Sequence, residues 1–480
     1  MTLDSRPMST VPASVVSVLG AAATIADHRL TVHDEAAFAS PMMDALVRLA
    51  VFGDTNEQDW ARWAIWEAGR AIGVFSASIH EFYMARGRGD VPPVTVPAMN
   101  IRGRTYDTMR AIFRTAKKID GGAFIMEIAR SEIAYTEQRP SEYVAVALAS
   151  AMREGHRGPV FLQGDHFQVN HKKYKVDPVA EVTAVKQLAL EGVSAGFYNI
   201  DLDTSTLVDL SFPTLDEQQR LNYEIGVELT RYVRSLEPEG VTVSLGGEIG
   251  EVGTENSTVA ELEAFMDGYN RTLAAQAPGM TGLSKISVQS GTSHGGVVLA
   301  DGSIADVALD FKTLENLSRV ASKKYGLSGA VQHGASTLPD SAFFNFPKTE
   351  TAEIHLATGF QNMLYDHLPT ALREEMYAWL VKNAADERKA GDTDDQFFYK
   401  TRKKAFGPFK RKLWDMPAEA AVKLDAAYDA KFTFLFEKLA VGGTAGAVRR
   451  YVTGPAIARS APGTGGPAVE AAPDDPDAGE

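Results

Sequence analysis

Three short apolar runs each end in a histidine. Val160-Phe161-Leu162-Gln163-Gly164 leads into Asp165 and His166. Lys285-Ile286-Ser287-Val288-Gln289-Ser290-Gly291-Thr292-Ser293 leads into His294 and Gly295, and Gly329-Ala330-Val331-Gln332 into His333 and Gly334. Runs of this length, bounded by glycine and polar residues, read as buried parallel strands. In α/β proteins chemistry collects just past the C-terminal ends of such strands. A single histidine is more often a satisfied core or surface residue than a ligand. Three of the 10 histidines at equivalent strand ends, two of them followed by a glycine that lets backbone approach a substrate, suggest a metal site. Three protein ligands with an open position are what a catalytic zinc needs.

The chain has no cysteine. Disulfides are excluded, and a zinc ion would be held by imidazole and carboxylate instead of thiolate, as suits a cytoplasmic enzyme. A net charge of −14 argues against binding nucleic acid through a broad basic surface. The hydrophobic fraction of 45% and charged fraction of 23% are those of a soluble globular protein. Residues 11–26 are mostly small and apolar, but Asp4 and an Ala/Ser-rich composition favour a frayed tail or surface helix over an export signal. No run approaches the ~20 apolar residues that span a bilayer, so no membrane partner is expected.

The elements that must position the histidines follow from periodicity. Candidate strands at 94–100, 123–129, 159–163, 196–202, 241–248, 284–290, 329–333 and 352–357 alternate with amphipathic stretches at 104–118, 141–154, 178–192, 215–235, 258–275 and 310–325. That rhythm over about 270 residues predicts an α/β fold, a (β/α)8 TIM barrel. A doubly wound open sheet is the alternative, but no G-x-G-x-x-G follows an early strand. The barrel is assigned to 91–360, with an N-terminal helical extension at 1–90 and a C-terminal helical segment at 361–458. A tail at 459–480, almost without large apolar residues, is expected to be disordered. In the extension, Thr55-Asn56-Glu57-Gln58 has the form of a capping box, and Trp63, Trp66, Ala68 and Ile72 recur at helical spacing. Covering the barrel bottom and forming a dimer contact are both open to this segment.

Asp165, Asp201, Asp203, Glu248, Glu251 and Glu255 all fall at or after strand ends. A Lewis-acid metal still needs a base and an acid to move protons. For Asp203 and Glu251 a helix cap or solvated loop acid is the better reading. Asp165, beside a candidate ligand, is the strongest acid/base. Gly334-Ala335-Ser336-Thr337 and Leu356-Ala357-Thr358-Gly359 precede helices, where backbone N–H groups can cradle a phosphate. The basic cluster Lys400-Thr401-Arg402-Lys403-Lys404 to Lys410-Arg411-Lys412 reads mostly as a solvated helical face.

Over residues 94–415 these features resemble the class II, metal-dependent fructose-bisphosphate aldolases and their ketose-bisphosphate relatives. Val96-Pro97-Ala98-Met99-Asn100 is similar to the family's first strand, whose Asn lies near the substrate. Gln163-Gly164-Asp165-His166 resembles H-x-D-H, where the Asp exchanges a proton with the C4 hydroxyl and the last His binds the metal. Asn199-Ile200-Asp201 and Gly247-Glu248-Ile249-Gly250 look like the acids that hold a second or displaced metal. Glu255 falls in the loop where the family keeps a Glu for the dihydroxyacetone-phosphate proton. Ser293-His294-Gly295 and His333-Gly334-Ala335-Ser336 match the other two metal ligands and the phosphate loop, and Tyr399-Lys400-Thr401-Arg402 the segment carrying an Arg for the distal phosphate, contributed across a dimer in some members.

The departures are specific. Gln163 stands for the first His, no lysine follows Gly295 as in HG-x-Y-K, His355 stands for the Asn that contacts the ketose, Ala357 for an Asp, and Ala129 for a Ser near the phosphate. The resemblance implies zinc on His166, His294 and His333, with Asp201 and Glu248 serving a second or alternative divalent metal. Asp165 and Glu255 would move protons, and Asn100, Gly295, Gly334, Ser336, His355, Thr358 and Arg402 would contact substrate. The reaction would be reversible aldol cleavage of a phosphorylated ketose by a homodimer or higher homo-oligomer. A metal-dependent sugar-phosphate isomerase or epimerase, and a non-catalytic partner subunit, are the alternatives.

Overall fold

The computed structural model describes residues 10–250, 255–291, 299, 309–464 and 469–476. Strands are numbered in chain order: β1 Ala23–Ala26, β2 Arg29–Val32, β3 Val74–Ala77, β4 Val96–Asn100, β5 Ile125–Ala129, β6 Gly158–Gln168, β7 Asn199–Asp203, β8 Ser244–Glu248, β9 Lys285–Val288, β10 Ala330–Gln332 and β11 Glu353–Leu356. β4 to β11 pair in parallel in chain order, and β11 closes on β4, with Glu353 opposite Val96 and Leu356 opposite Met99. This is the (β/α)8 barrel, with helices such as Thr105–Lys118, Pro140–Arg153, Pro178–Ala195, Leu215–Leu236, Val259–Gln276 and Phe311–Tyr325 alternating with the strands. No helix among the described residues is long and apolar enough to cross a membrane.

The first 90 residues hold more than helices. β1 and β2 form an antiparallel hairpin, and β3 joins the barrel sheet in parallel beside the start of β6, Val74 opposite Gly158 and Ala77 opposite Phe161. β6 therefore serves β3 with its first half and β7 with its second. The Asn199 amide fills the join: it accepts from Ile79 N–H at 2.9 Å and donates to Ala77 O and Leu162 O. Four-residue strands carry too little periodicity to be read without their partners. The helix Thr55–Ile72 is capped by Asp54 and Glu57, one residue earlier than Thr55 and Gln58, and it buries Trp60, Trp63 and Trp66.

The helix His80–Arg88 closes the bottom of the barrel. Arg86 donates to the carbonyls of Val94, Ser328, Glu350 and Thr351, which precede β4, β10 and β11. Tyr83, fully buried, reaches up into the barrel and donates to Glu353. Described tail residues are also held, against the expectation of disorder. Arg459 lies 3.3 Å from the Trp66 ring centroid, and Asp475, 1% exposed, pairs with Arg130 and Lys173. Ionic contacts to the barrel helices supply what the tail's small side chains cannot.

The barrel interior is polar along one side. Glu127, Gln163, Lys285 and Glu353 are each 0% exposed at inward positions of β5, β6, β9 and β11. Lys285 Nζ donates to Gln163 Oε1 at 2.8 Å, to Asp201 at 2.9 Å and to Glu353. Gly246 makes this possible: a Cβ there would fall 2.2 Å from Asp201 Oδ1 and 2.9 Å from Lys285 Cε.

Candidate active site

β6 delivers two consecutive functional side chains through a backbone irregularity. The pairing of β6 with β7 shifts register between Gly164 and Phe167, and His166 adopts φ 41° in the left-handed region. A bulge of this kind re-aims side chains that a regular strand would send to opposite faces. Gly164 is required locally, since a Cβ would lie 2.4 Å from the Phe167 ring.

Asp165, 5% exposed, is held from both sides. Asn100 Nδ2 donates to its Oδ2 at 2.9 Å, and His355 Nδ1 lies 3.0 Å from its Oδ1. His355 Nε2 contacts Glu353 Oε1 at 2.7 Å, linking Asp165 to the buried Lys285 and Tyr83 below. Burial alone would raise the Asp165 carboxyl, but His166 and then His355 hold it well below the usual carboxylate range. Glu127 goes the other way: burial pushes it well up, against the pull of His355.

His166, Glu248 and His333 present donor atoms that all lie within 4.8 Å of one another. The His166 and His333 ring centroids are 4.3 Å apart. Asp203 Oδ2 sits 3.1 Å from His166 Nδ1, the carboxylate–histidine contact that fixes a ligand's ring orientation. Asp203 also accepts from Ser205 N–H and Oγ–H, while Thr204 holds the N-cap position of the short 3-10 turn that follows. Two imidazole nitrogens and a carboxylate suit a borderline-soft divalent ion such as zinc. A second donor group combines Asp165, Asp201, His333 and His355, also within 4.8 Å. Asp201 thus lies between Lys285 and the histidines. His294 and Gly295 fall outside the described residues, as does Glu251.

The remaining expected residues are distributed around the mouth. Glu255 is exposed, and Ser257, two residues on, exchanges hydrogen bonds with Gln289 just past β9. Gly334 has φ 69°, opening the turn that carries Ser336, and Ser336 Oγ accepts from Ala357 N–H at 2.6 Å. Thr358 begins the helix Thr358–His367, so the two phosphate-type loops are joined at that helix's N-terminus. Arg402, 9% exposed, donates to Asn362 in the same helix and stacks on Tyr365 and Tyr399 of its own chain.

The basic cluster is in part the solvated face expected of it, with Lys400, Arg411 and Lys412 exposed, and in part packed. Phe406, Phe409 and Leu413 are buried, Lys410 pairs with Glu142, and Lys403 is half-buried. Lys285 and Glu127, buried below Asp165 and His355, are not singled out by sequence spacing. The available signal was a polar residue at an inward strand position between apolar neighbours, as in Ile125-Met126-Glu127-Ile128.

A closed parallel barrel with a histidine–carboxylate donor set at its C-terminal mouth defines a (β/α)8 protein with a candidate metal centre. The chain belongs to the class II fructose-bisphosphate aldolase family, whose model matches residues 93–412. It is similar to the fructuronate-tagaturonate epimerase of Cohnella laeviribosi, at 12% identity and TM-score 0.54, covering 79% of this chain and 85% of that one. A probable tagatose 6 phosphate kinase from Sinorhizobium meliloti 1021 matches at 16% identity and TM-score 0.50, over 75% and 94%. The fructose-bisphosphate aldolase of Campylobacter jejuni matches at 20% identity and TM-score 0.44, over 77% and 96%.

Proposed function

We propose that this protein is a zinc-dependent aldolase that reversibly cleaves a ketose bisphosphate, fructose 1,6-bisphosphate or a close relative, to dihydroxyacetone phosphate and an aldehyde. The observation that carries the reading is Asp165, fixed by Asn100 and His355 beside the His166–Glu248–His333 donor set. His166, His333 and His294, with Glu248 and Asp201 nearby, would hold the ion. Bound there, a divalent cation supplies Lewis acidity toward the substrate's carbonyl oxygen.

The chain's own residues do the rest. Asp165 is buried and ionised, so it is ready to accept the C4 hydroxyl proton as the C3–C4 bond breaks and to return it in the reverse direction. Asn100 keeps the carboxylate oriented, because its own amide is anchored on Glu132 Oε2 at 2.9 Å. Glu255 on the rim would carry the proton at C1. The Gly334–Ser336 turn and the N-terminus of Thr358–His367 would receive one phosphate, and Arg402 the other. The substrate would be held by an enzyme that works as a homo-oligomer.

Incubation with fructose 1,6-bisphosphate and enzymatic trapping of triose phosphate tests this reading. Released triose phosphate supports it. A C4 epimer without triose phosphate would favour the second reading, epimerisation, the activity named for the Cohnella laeviribosi neighbour.

A further inference from the structure

We infer that the Lys285 ammonium fills the position of a second cation inside this barrel, so that the chain takes up one divalent ion, at the mouth, and Asp201 is not among its ligands. The inference rests on the metal-centre reading of the site and is independent of which sugar phosphate that site serves.

Asp201 belongs to two groups of donor atoms close enough for one ion. In one it joins Asp165, His333 and His355, and in the other Glu127, Glu353 and His355. The family resemblance likewise assigns Asp201 to a second or displaced metal. Lys285 has taken that place. Its Nζ lies 2.9 Å from Asp201 Oδ1 and donates to Oδ2 at 3.0 Å, so both carboxylate oxygens face the ammonium. The other acceptors are Gln163 Oε1 at 2.8 Å and Glu353 Oε1. An ammonium has three N–H donors, and these three side chains take them all. A divalent ion on Asp201 would have to sit beside a fully buried ammonium, where like charges repel most strongly.

The pair is built into the sheet. Asp201 on β7, Gly246 on β8 and Lys285 on β9 are register partners across neighbouring strands. The middle position carries no side chain, so the outer two meet over it. A Cβ on Gly246 would fall 2.2 Å from Asp201 Oδ1 and 2.9 Å from Lys285 Cε, so any other residue there would push the pair apart.

Gln163 fits the same arrangement. Its oxygen accepts from Lys285, and its nitrogen donates to Glu127 Oε2 at 2.7 Å and to Glu353 Oε1 at 2.9 Å. A carboxamide presents an acceptor and two donors at one end. An imidazole, the residue type that the family pattern has here, offers two nitrogens on opposite edges and cannot serve all three partners. With Lys285 committed to Gln163, Asp201 and Glu353, the set His166–Glu248–His333 is left for the ion. Glu248 turns one oxygen toward each imidazole, at 3.7 Å from His166 Nδ1 and 3.8 Å from His333 Nδ1.

The test uses the full-length protein, stripped of metal and titrated with Co2+ against a chromophoric chelator. Wild type should take up one ion per chain. Asp201→Asn should bind it within about 3-fold of the wild-type affinity, whereas His166→Gln should bind it at least about 10-fold more weakly. A second tightly bound ion in wild type overturns the inference. So does a loss of about 10-fold or more in Asp201→Asn, or an unchanged affinity in His166→Gln. The wild-type ion count needs no variant, so it decides even where a variant folds poorly. If wild type takes up no ion, the metal-centre reading fails and the inference with it. If it takes up one ion yet releases no triose phosphate from fructose 1,6-bisphosphate, the inference stands and the aldolase reading alone fails.

Discussion

Asp165 and His166 are neighbours in sequence and in space: His166 Nε2 lies 3.7 Å from Asp165 Oδ1, where β6 shifts register and His166 takes a left-handed backbone. The proposed acid/base and a candidate metal ligand, both supplied by one strand, share a rigid frame. Asn100, Asp203 and His355 then fix each of them from a different strand.

Replacing Asp165 with Ala removes the proton acceptor and leaves His166, Glu248 and His333 untouched. Turnover should fall about 10²–10⁴-fold while bound zinc per chain stays the same. Steady-state kinetics with metal analysis checks both halves. Full kcat in the variant would rule out Asp165 as the acid/base.

Asp203 acts on His166 through Nδ1. Asp203→Ala should weaken zinc binding about 10- to 100-fold, measured by competition with a chromophoric chelator. Unaltered affinity would reduce Asp203 to its local bonds with Ser205.

Lys285 is fully buried between Asp201 and Glu353. Lys285→Met would leave two carboxylates in the barrel with their cation gone, costing about 3–5 kcal/mol of stability. Denaturant melts should show the loss in the metal-free and metal-loaded protein alike. A midpoint equal to wild type would mean that these carboxylates are neutral in the fold.

Lys403 gives a pH signature. Its folded pKa of about 8 lies below its ordinary 10.5, so the charged form carries a cost to the fold below pH 8 that is relieved as pH rises from about 8 toward 10.5. Stability should therefore rise across that window. Arg102, Lys404, Glu132, Glu387 and the Tyr135 ring are among the groups that face it. Melting temperature should rise from pH 7 to 10, and Lys403→Gln should flatten that rise. A melting temperature that stays level or falls in the wild type would contradict the assignment.

The barrel was legible because short strand-like runs alternate with amphipathic helical stretches at a regular interval. The helices Thr105–Lys118 and Phe311–Tyr325 begin and end within a residue or so of the periodic stretches 104–118 and 310–325. Asp165, His166 and His333 were legible for the same reason, standing where such runs stop. Lys285 was not: inside an apolar run it looks like a strand boundary, and only partners from β7 and β11 make its burial tolerable. His355 was noticed as a departure from the family pattern, but its contacts to Asp165 and Glu353 depend on β6 and β11 being brought together by closure of the barrel.

The most direct test of the account is a coupled triose phosphate assay on purified protein with fructose 1,6-bisphosphate, before and after chelation, with metal content measured on the same sample. The account predicts near-stoichiometric zinc, cleavage that disappears with the metal, and recovery when zinc is restored. Cleavage that survives complete removal of the metal, or a protein that takes up no divalent ion, would contradict it.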